Sequence, residues 1–331
     1  MDLTKSKKFL LSIALIYWAL VVLIFVIAHD AFSITIPNTF INIYWLSVCI
    51  LFILISSYCI WGYIKGKHNK NNMVVTLCTL VTKYNFLLKQ LVNRDFKVKY
   101  KRSVLGVAWS FVNPLLTMGV QYVVFSTLFS NDLPNYAVYL LIGIVFFNFF
   151  NEAVGQGMTS ITGNANLIKK VYMPKYIYPL SKLLSSLINF AITLIPLAIV
   201  MAITRVVPTW SMLLIIFDII CFLVFIFGMI LILSTLMTFF QDTQFLWTVI
   251  SMIWMYLTPI FYTESIIPEK FRTLYHLNPM YQYISFARTC LIDGCSPDPM
   301  QYVYCIASSV VVLIFGLFVF KKNQDKFVLH L

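Results

Sequence analysis

Five basic residues fall within nine positions immediately before a long apolar stretch of the chain. They are Arg94, Lys97, Lys99, Lys101 and Arg102. Lysine and arginine at the edge of an apolar helix are suited to contact anionic lipid head groups, or another phosphorylated molecule, at a membrane surface. The sequence therefore predicts that a charged surface and a bilayer core meet close to residue 102.

Other kinds of chemistry have no matching motif. The nearest approach to a phosphate-binding P-loop, Gly62–His68, has the wrong spacing and lacks the hydroxyl residue. The sequence contains no H-E-x-x-H motif, no nucleophile elbow and no pair of carboxylates placed for acid–base catalysis. The seven cysteines and four histidines show no metal-ligand spacing, and a disulfide between Cys290 and Cys295 is left open. We therefore expect no P-loop ATP hydrolysis, no catalytic or metal site and no cofactor in this chain.

The composition is that of a membrane protein. Of the 331 residues, 60% are hydrophobic and only 11% are charged, whereas a soluble domain has about 25% charged residues. Eight apolar runs approach or exceed the roughly 20 residues that a helix needs to cross a bilayer. They cover residues 9–28, 41–64, 107–129, 137–158, 178–203, 211–239, 245–262 and 303–320. We predict an all-α polytopic membrane protein.

The distribution of basic residues predicts the orientation of these spans. With the N-terminus in the cytoplasm, 20 of the 24 lysine and arginine residues lie in cytoplasmic segments and 4 in external ones. This bias indicates cytoplasmic N- and C-termini and an even number of spans. The net charge of +12 therefore mostly faces anionic membrane lipid, and no nucleic-acid partner is expected. The first span is long for a cleaved signal peptide and is interpreted as a retained anchor.

The chain is predicted to have three parts. Residues 1–70 form a transmembrane hairpin, residues 71–106 a cytoplasmic amphipathic segment, and residues 107–331 a six-span core. In the middle part, apolar and aromatic residues recur at helical spacing, which predicts an interface helix over 84–101 that lies in the membrane plane. An ordinary juxtamembrane anchor would show the same periodicity.

Two connections between spans carry further predicted structure. In the longest cytoplasmic loop of the core, Gly163 and Pro174 bracket residues 164–172, which form either a short helix that needs packing partners or a plain loop. The external segment 263–302 is too apolar for a solvated loop, and Asn278–Pro279 divides it. We expect two short amphipathic helices there that dip back toward the bilayer.

Two acidic residues lie in or near apolar spans. Asp218 is deep enough in its span to be costly without a partner. It either marks a transport pathway or forms a buried hydrogen bond that fixes helix packing. Glu152 lies near the cytoplasmic end of another span, where it faces either a wet pathway or the membrane interface.

Aromatic residues make up 17% of the chain, and many lie at span ends, where the interfacial belt explains them. Others lie in mid-span, where an aromatic ring either stacks on sugars along a glycan channel or packs against lipid. The candidates for lining such a channel are Tyr122, Phe125, Phe147 and Phe150.

Five segments within residues 85–331, in the right order and on the right sides of the membrane, resemble motifs of type-2 ABC export permeases. They are the start of the core (Arg94–Phe96, Tyr100–Trp109 and Asn113–Pro114), the coupling loop (Met173–Pro174 and Pro179–Ser181), a polar turn (Gln241–Thr243, with Gln in place of the family's Arg), the external gate helices (Pro259–Pro268 and Asn278–Tyr281) and the tail (Asp325–Phe327). Within that group the chain resembles the Wzm/TagG-like subunits, which export lipid-linked O-antigen, capsular polysaccharide or teichoic acid. Residues 1–70 depart from the common six-span pattern, and the role of this hairpin is left open.

The resemblance implies roles for individual residues. The pyrophosphate head group of a polyprenyl-linked substrate would pass Arg94, Lys97, Lys99, Lys101, Arg102 and Ser103. The bend into the first core span would involve Gly106, Trp109 and Pro114. Coupling to a separate ATPase would involve Asp95, Asn166, Lys169, Lys170, Met173 and Pro174. The external gate would involve Tyr256, Pro259, Tyr262, Asn278, Pro279 and Tyr281.

The resemblance also implies the membrane subunit of a transporter rather than an enzyme. Two copies of an ATPase subunit would bind ATP and Mg²⁺, and the permease would work as a homodimer in the bacterial cytoplasmic membrane. The substrate would be a polyprenyl-linked polysaccharide of O-antigen or capsule type, or teichoic acid. The alternatives are an integral-membrane enzyme of glycan assembly and an ion-coupled secondary transporter. The first lacks a visible catalytic constellation, and the second has only Asp218 as a candidate midplane charge.

Overall fold

The computed structural model describes residues 84–101, 106–129, 135–170, 173–207, 209–262, 270 and 275–331. The predicted hairpin 1–70 and most of the first predicted external helix lie outside the described residues. The chain divides into two compact units, Met1–Gln90 and Leu91–Leu331. Apart from the first turns of one helix, everything described below belongs to the second unit.

The described residues form helices joined by short connections, without β-strands in these ranges. The helices are α1 (Asn85–Tyr100), α2 (Ala108–Phe129), α3 (Tyr136–Met158), α4 (Ala165–Lys170), α5 (Ile177–Ile203), α6 (Ile215–Phe239), α7 (Thr243–Leu257), α8 (Pro279–Arg288), α9 (Pro299–Asn323) and α10 (Phe327–His330). Short 3-10 turns precede α4, α6 and α10, and a π-helical turn follows α8. The prediction of an all-helical protein is confirmed for these residues.

Four helical segments in the described ranges are long and apolar enough to cross a membrane. They are α3, α5, Trp210–Phe239, which includes α6, and Pro299–His330, which includes α9 and α10. Helix α2 has 22 residues, includes the polar residues Ser110, Asn113 and Gln121, and is not among these four. Helix α7 is apolar but has only 15 residues. The six-span core therefore stays a prediction.

Helix α3 is the centre of the bundle. In its most apolar window 72% of the residues are buried, a larger share than in the other three spans, and it packs against α2, α5, α6, α7 and α8. Much of this packing is aromatic. The rings of Phe146 and Phe222 lie 5.6 Å apart, and those of Phe149 and Phe190 lie 4.3 Å apart. Aromatic side chains therefore fix the position of α3 relative to α5 and α6.

Helices α6 and α9 make the most extensive pair contact, and two glycines allow it. A Cβ atom added at Gly228 would meet main-chain atoms of Val312 and Leu313 at 2.7 Å. A Cβ added at Gly316 would collide with the main chain of Gly228. Small residues let helix backbones approach closely in membranes, where dispersion contacts replace the hydrophobic effect as the source of association.

Residues Asn85–Tyr100 of the predicted interface helix are helical, as α1, and its place in the membrane plane stays a prediction. Of the two forms left open for 164–172, a short helix is present as the six-residue α4, and residues 171 and 172 lie outside the described ranges. Asn278 caps α8 and Pro279 is its first residue, so the piece of the external segment after the predicted division is helical. Cys290 is buried, Cys295 is exposed and both thiols are free, so the disulfide left open by the sequence is not formed.

Candidate functional site

The C-terminal half of α1 is joined to two other elements by an ion-pair cluster around Asp95. Oδ1 of Asp95 accepts from Arg94 Nη2 at 2.9 Å, and Oδ2 lies 2.9 Å from Nζ of Lys182 on α5. Arg94 Nη2 also donates to Oδ1 of Asn164 at 3.1 Å, just before α4. The Asp95 side chain is only 8% exposed. The cluster therefore connects α1, α5 and the turn before α4.

A second polar cluster lies one turn further along α1. Oε1 of Glu152 on α3 accepts from Lys99 Nζ at 2.8 Å, from Asn189 Nδ2 on α5 at 2.7 Å and from Gln156 Nε2 at 3.1 Å. The hydroxyl of Tyr100 donates to Asn189 Oδ1 at 2.8 Å. Glu152 thus has three side-chain donors around one oxygen, and its position toward a wet pathway or the membrane interface stays a prediction.

The turn from α1 into α2 is built around Gly106. Its φ of 52° lies in the left-handed region that glycine adopts without strain. Tyr100 also contacts the hydroxyl of Ser110 across this turn. Trp109 at the start of α2 is 47% exposed, and Pro114, one turn further on, is buried. These positions agree with the predicted bend, although its role in transport stays a prediction.

The predicted head-group residues have different environments. Lys97 and Lys101 are exposed at the end of α1, whereas Arg94 and Lys99 are held in the two clusters. Arg102 and Ser103 lie outside the described residues. A phosphate that approached Arg94 or Lys99 would therefore compete with Asp95 or Glu152.

The predicted ATPase-coupling residues of α4 form a solvent-facing surface. Asn166, Lys169 and Lys170 are exposed, together with Leu167, and Met173 and Pro174 are partly buried. Asp95 does not share this surface, since it is enclosed in its ion pairs. The predicted coupling set therefore divides into one buried charge and one exposed patch.

The chain after α9 packs against the elements that carry this patch. Lys175 donates to the carbonyl of Gln324 and lies 5.7 Å from the ring of Phe327. Phe327 is fully buried and α10 packs against α4 and α6. Burial lowers the pKa of Lys175, and the nearby carboxylate of Asp325 acts in the opposite direction.

Arg288 at the end of α8 holds three segments together. Its guanidinium donates to the carbonyls of Pro259 at 2.7 Å, Ile260 at 3.0 Å and Tyr139 at 3.1 Å, and it lies 3.4 Å from the Tyr139 ring centroid. Burial lowers the pKa of Arg288 to about 10, so the group remains a cation at neutral pH. Arg288 therefore joins α8 to the start of α3 and to the turn after α7.

The predicted gate residues lie around this same turn. Asn278 caps α8 by accepting from Met280 N at 3.1 Å, accepts from Trp254 Nε1 at 2.8 Å and donates to Thr258 Oγ1 at 3.0 Å. Of the other predicted gate residues, Pro279 is the first residue of α8, Tyr281 is buried, Tyr256 is 60% exposed, and Tyr262 donates to the Tyr256 carbonyl. The turn is held by side-chain bonds and has one exposed aromatic at its edge.

The four predicted channel aromatics separate into two groups. Phe147 and Phe150 are buried within the bundle, where Phe150 packs against Phe225 at 6.0 Å. Tyr122 is 40% exposed on α2, and the Phe125 ring stacks on Phe261 at 5.1 Å. Only the two α2 residues lie near a surface of this chain.

Asp218 is fully buried in α6, and its Oδ1 lies 4.0 Å from Cys305 Sγ on α9. Its Oδ2 has no hydrogen-bond partner among the described residues, so the pathway and packing interpretations both stay predictions.

Sequence reasoning missed several residues of these clusters. Lys182, Asn164 and Asn189 were not singled out, and Arg288 was counted only as an external charge. Asn189 could have been found from the sequence, because it is a polar residue within the predicted apolar span 178–203. In the structure it is 3% exposed. A buried polar side chain requires a partner, and here the partner was Glu152.

Residues 86–292 match the model of a family described as "ABC-2 type transporter". The match covers more than half of the chain. The chain belongs to the ABC-2 type transporter family. This membership makes it a multi-pass transport subunit rather than an enzyme, as the motifs of the core predicted.

Three relatives are similar over nearly their whole length, and all carry the name O-antigen export system permease protein RfbA. One from Klebsiella pneumoniae is 31% identical over 259 residues, which cover 75% of this chain and 98% of the relative. Another from the same organism is 30% identical over 257 residues, covering 74% and 96%. One from Myxococcus xanthus is 29% identical over 257 residues, covering 77% and 98%. The remaining quarter of this chain has no counterpart in these alignments.

Proposed function

We propose that this ABC-2 permease is the membrane subunit of an ATP-driven exporter of lipid-linked O-antigen-type polysaccharide. The observation that carries the proposal is the similarity to three O-antigen export permeases over 96% or more of their own lengths. The basic end of α1, next to the first helix of the core, supports an acidic, lipid-anchored substrate. The polymer would cross the bacterial cytoplasmic membrane. The N- and C-termini of the permease would lie in the cytoplasm. Capsular polysaccharide and teichoic acid are the alternative polymers.

Substrate would enter beside the end of α1. The exposed Lys97 and Lys101, followed by Arg102 and Ser103, supply cations and a hydroxyl for a pyrophosphate head group. Arg94 and Lys99 would join only after release from their carboxylates. Gly106, Trp109 and Pro114 would form the bend that the lipid passes, and Tyr122 and Phe125 would line the sugar pathway on α2.

The energy would come from two copies of an ATPase subunit that bind ATP and Mg²⁺. Their docking surface would be the exposed patch of α4, with Asn166, Lys169 and Lys170 at its centre. Met173 and Pro174 would hold the end of this patch, and Asp95 would fix α1 behind it. A helix as short as α4 needs such packing to be stable.

A homodimer is supported by apolar faces of α2 and α7 that this chain leaves uncovered. In α7 only Thr243, Trp247 and Ser251 are buried, and they form one narrow stripe. Val120 and Val123 of α2 are 67% and 72% exposed. A second copy that covers these faces would place a channel on the two-fold axis, beside Tyr122, with Tyr256 and the α8 turn at its external end.

Reconstitution tests the proposal. Co-expressed with the ATPase subunit from its own operon, the chain should co-purify with it in a 2:2 complex. The complex should hydrolyse ATP and move lipid-linked polysaccharide into the lumen of inverted vesicles, whereas the isolated chain should hydrolyse none. ATP hydrolysis by the isolated chain, or export that continues without the ATPase subunit, would overturn the proposal.

A further inference from the structure

Donors on α1, α3 and α5 converge on Glu152, and we call this group of donors the pocket. Lys99 Nζ, Asn189 Nδ2 and Gln156 Nε2 all reach the same oxygen, Oε1, at 2.8, 2.7 and 3.1 Å. A carboxylate oxygen has only two lone pairs to offer. The pocket therefore presents more donors than the oxygen that occupies it can accept with good geometry, and an anion with several oxygens would match it better.

The pocket is also fixed in place before any ligand arrives. Asn189 is 3% exposed, and the Tyr100 hydroxyl donates to its Oδ1 at 2.8 Å. This bond orients the amide so that its NH₂ group must point at Glu152. A buried donor with a set orientation is characteristic of a preorganised anion site, since no reorganisation is needed when the anion binds.

The Glu152 carboxylate, in contrast, is free to move away from these donors. The Glu152 and Lys99 side chains are 29% and 35% exposed, so the site opens to the surface at the end of α1. An ion pair with side chains exposed to this extent contributes little stability in water. A rotation of the Glu152 side chain would vacate the donors without moving α3, and the exposed Lys97 and Lys101 lie on the same end of α1.

We propose that this pocket is a phosphate-binding site for the lipid-linked substrate, and that Glu152 is a resident anion that the substrate's phosphate displaces. The inference rests on the proposed export function and adds to it the site at which the head group is held. A phosphate has three acceptor oxygens and more negative charge than a carboxylate, so it would distribute the three donors over separate oxygens. Its arrival would also replace the direct ion pair between Lys99 and Glu152 with a bridge through the phosphate.

A binding experiment on the intact complex with the ATPase subunit tests the site. The complex is placed in zwitterionic nanodiscs without nucleotide, and the probes are geranylgeranyl pyrophosphate and geranylgeraniol, which lacks the phosphates. The pyrophosphate should bind more tightly than the alcohol. Glu152→Gln should tighten binding of the pyrophosphate about fivefold, because a competing charge is removed, and should leave the alcohol unchanged. The matched control Asp242→Asn removes an exposed carboxylate just before α7 and should leave the binding of both probes unchanged.

Whether Glu152→Gln tightens or weakens pyrophosphate binding distinguishes a displaced anion from a tether for α1. If Glu152 were only a tether for α1, its loss would weaken or not alter pyrophosphate binding, and either outcome overturns the proposal. Lys99→Gln and Asn189→Leu should both weaken binding. These two variants test the pocket independently if Glu152→Gln fails to assemble, as judged by co-purification of the ATPase subunit, and unchanged binding in both would refute it.

Two further arms identify the source of the phosphate. Inorganic pyrophosphate and nanodiscs that contain phosphatidylglycerol should compete poorly with the prenyl pyrophosphate. Equal competition by either would assign the pocket to free phosphate or to bulk anionic lipid and would overturn the substrate role. A wild-type complex that exports polysaccharide while Glu152→Gln fails to tighten binding would refute the pocket alone and leave the export function intact.

Discussion

A Cβ atom added at Gly316 on α9 would collide with the main chain of Gly228 on α6, and one added at Gly228 would meet the main chain of Val312 and Leu313. The obstacle in each case is backbone rather than a movable side chain. The two helices therefore approach as closely as helices can, and this contact fixes the position of the last described span.

Gly316→Ala or Gly228→Ala should force α6 and α9 apart. Overpacking of a tight contact typically costs about 1–3 kcal/mol, and the detergent-purified complex should unfold at a lower temperature in a fluorescence melting experiment. Gly119→Ala on α2 is the matched control, because a Cβ there meets nothing within 4 Å. A control that melts as early as the two test variants would show that the α6–α9 contact is not the cause.

Arg288→Leu should destabilise the external turn. The change leaves the carbonyls of Pro259, Ile260 and Tyr139 without their cationic donor, at a cost of about 3 kcal/mol or more, since hydrogen bonds to charged groups contribute about 1.5–3 kcal/mol each. The thermal midpoint of the complex measures the effect. Arg205→Leu removes an exposed external arginine and should change the midpoint little, so equal losses in the two variants would contradict the bridging role.

Asp95→Asn should loosen α1 from α4 and α5. Arg94 and Lys182 would then lack their shared carboxylate, which we expect to cost about 1–3 kcal/mol, less than a fully buried pair because Arg94 is 43% exposed. Limited proteolysis of the cytoplasmic surface should cleave earlier in this variant. Asp242→Asn is the control, and protection equal to wild type in Asp95→Asn would refute the prediction.

The double variant Lys169→Glu, Lys170→Glu should weaken docking of the ATPase subunit. Both lysines are exposed on α4, and reversing two charges at an interface opposes a complementary partner surface. Pull-down of the ATPase subunit should fall several-fold. Lys321→Glu with Lys322→Glu makes the same charge change at the end of α9 and should retain the partner, so a comparable loss there would point to bulk charge rather than to α4.

The helices were largely predictable because their signals are local. The periodic segment predicted over 84–101 is α1, and apolar length located α3, α5, α6 and α9. One boundary was wrong, since the run predicted over 245–262 ends as a helix at Leu257. Thr258 precedes Pro259, and steric conflict with the proline ring disfavours helical backbone at the preceding residue; Thr258 is extended, with ψ of 129°.

The polar clusters were not predictable, because each joins residues that are distant in sequence. Lys99 and Glu152 are 53 positions apart, Arg94 and Asn164 are 70 apart, and Arg288 and Tyr139 are 149 apart. Periodicity and charge counting report on a segment and its side of the membrane, and they carry no information about which distant segment it meets. The charge count assigned Arg288 to an external segment and gave no indication that the residue is buried.

The 15 residues of α7 correspond to about 22 Å of helix, against about 30 Å of hydrocarbon in an average bilayer. If α7 is the fifth span of the predicted six-span core, the surrounding lipid would thin locally or one end of the helix would lie below the surface, and either adjustment has an elastic cost that rises with bilayer thickness. Acyl-chain length would then control the activity of this permease. Vesicles of short-chain lipid should favour the conformation in which α7 is fully embedded, and long-chain lipid should slow any step that requires it.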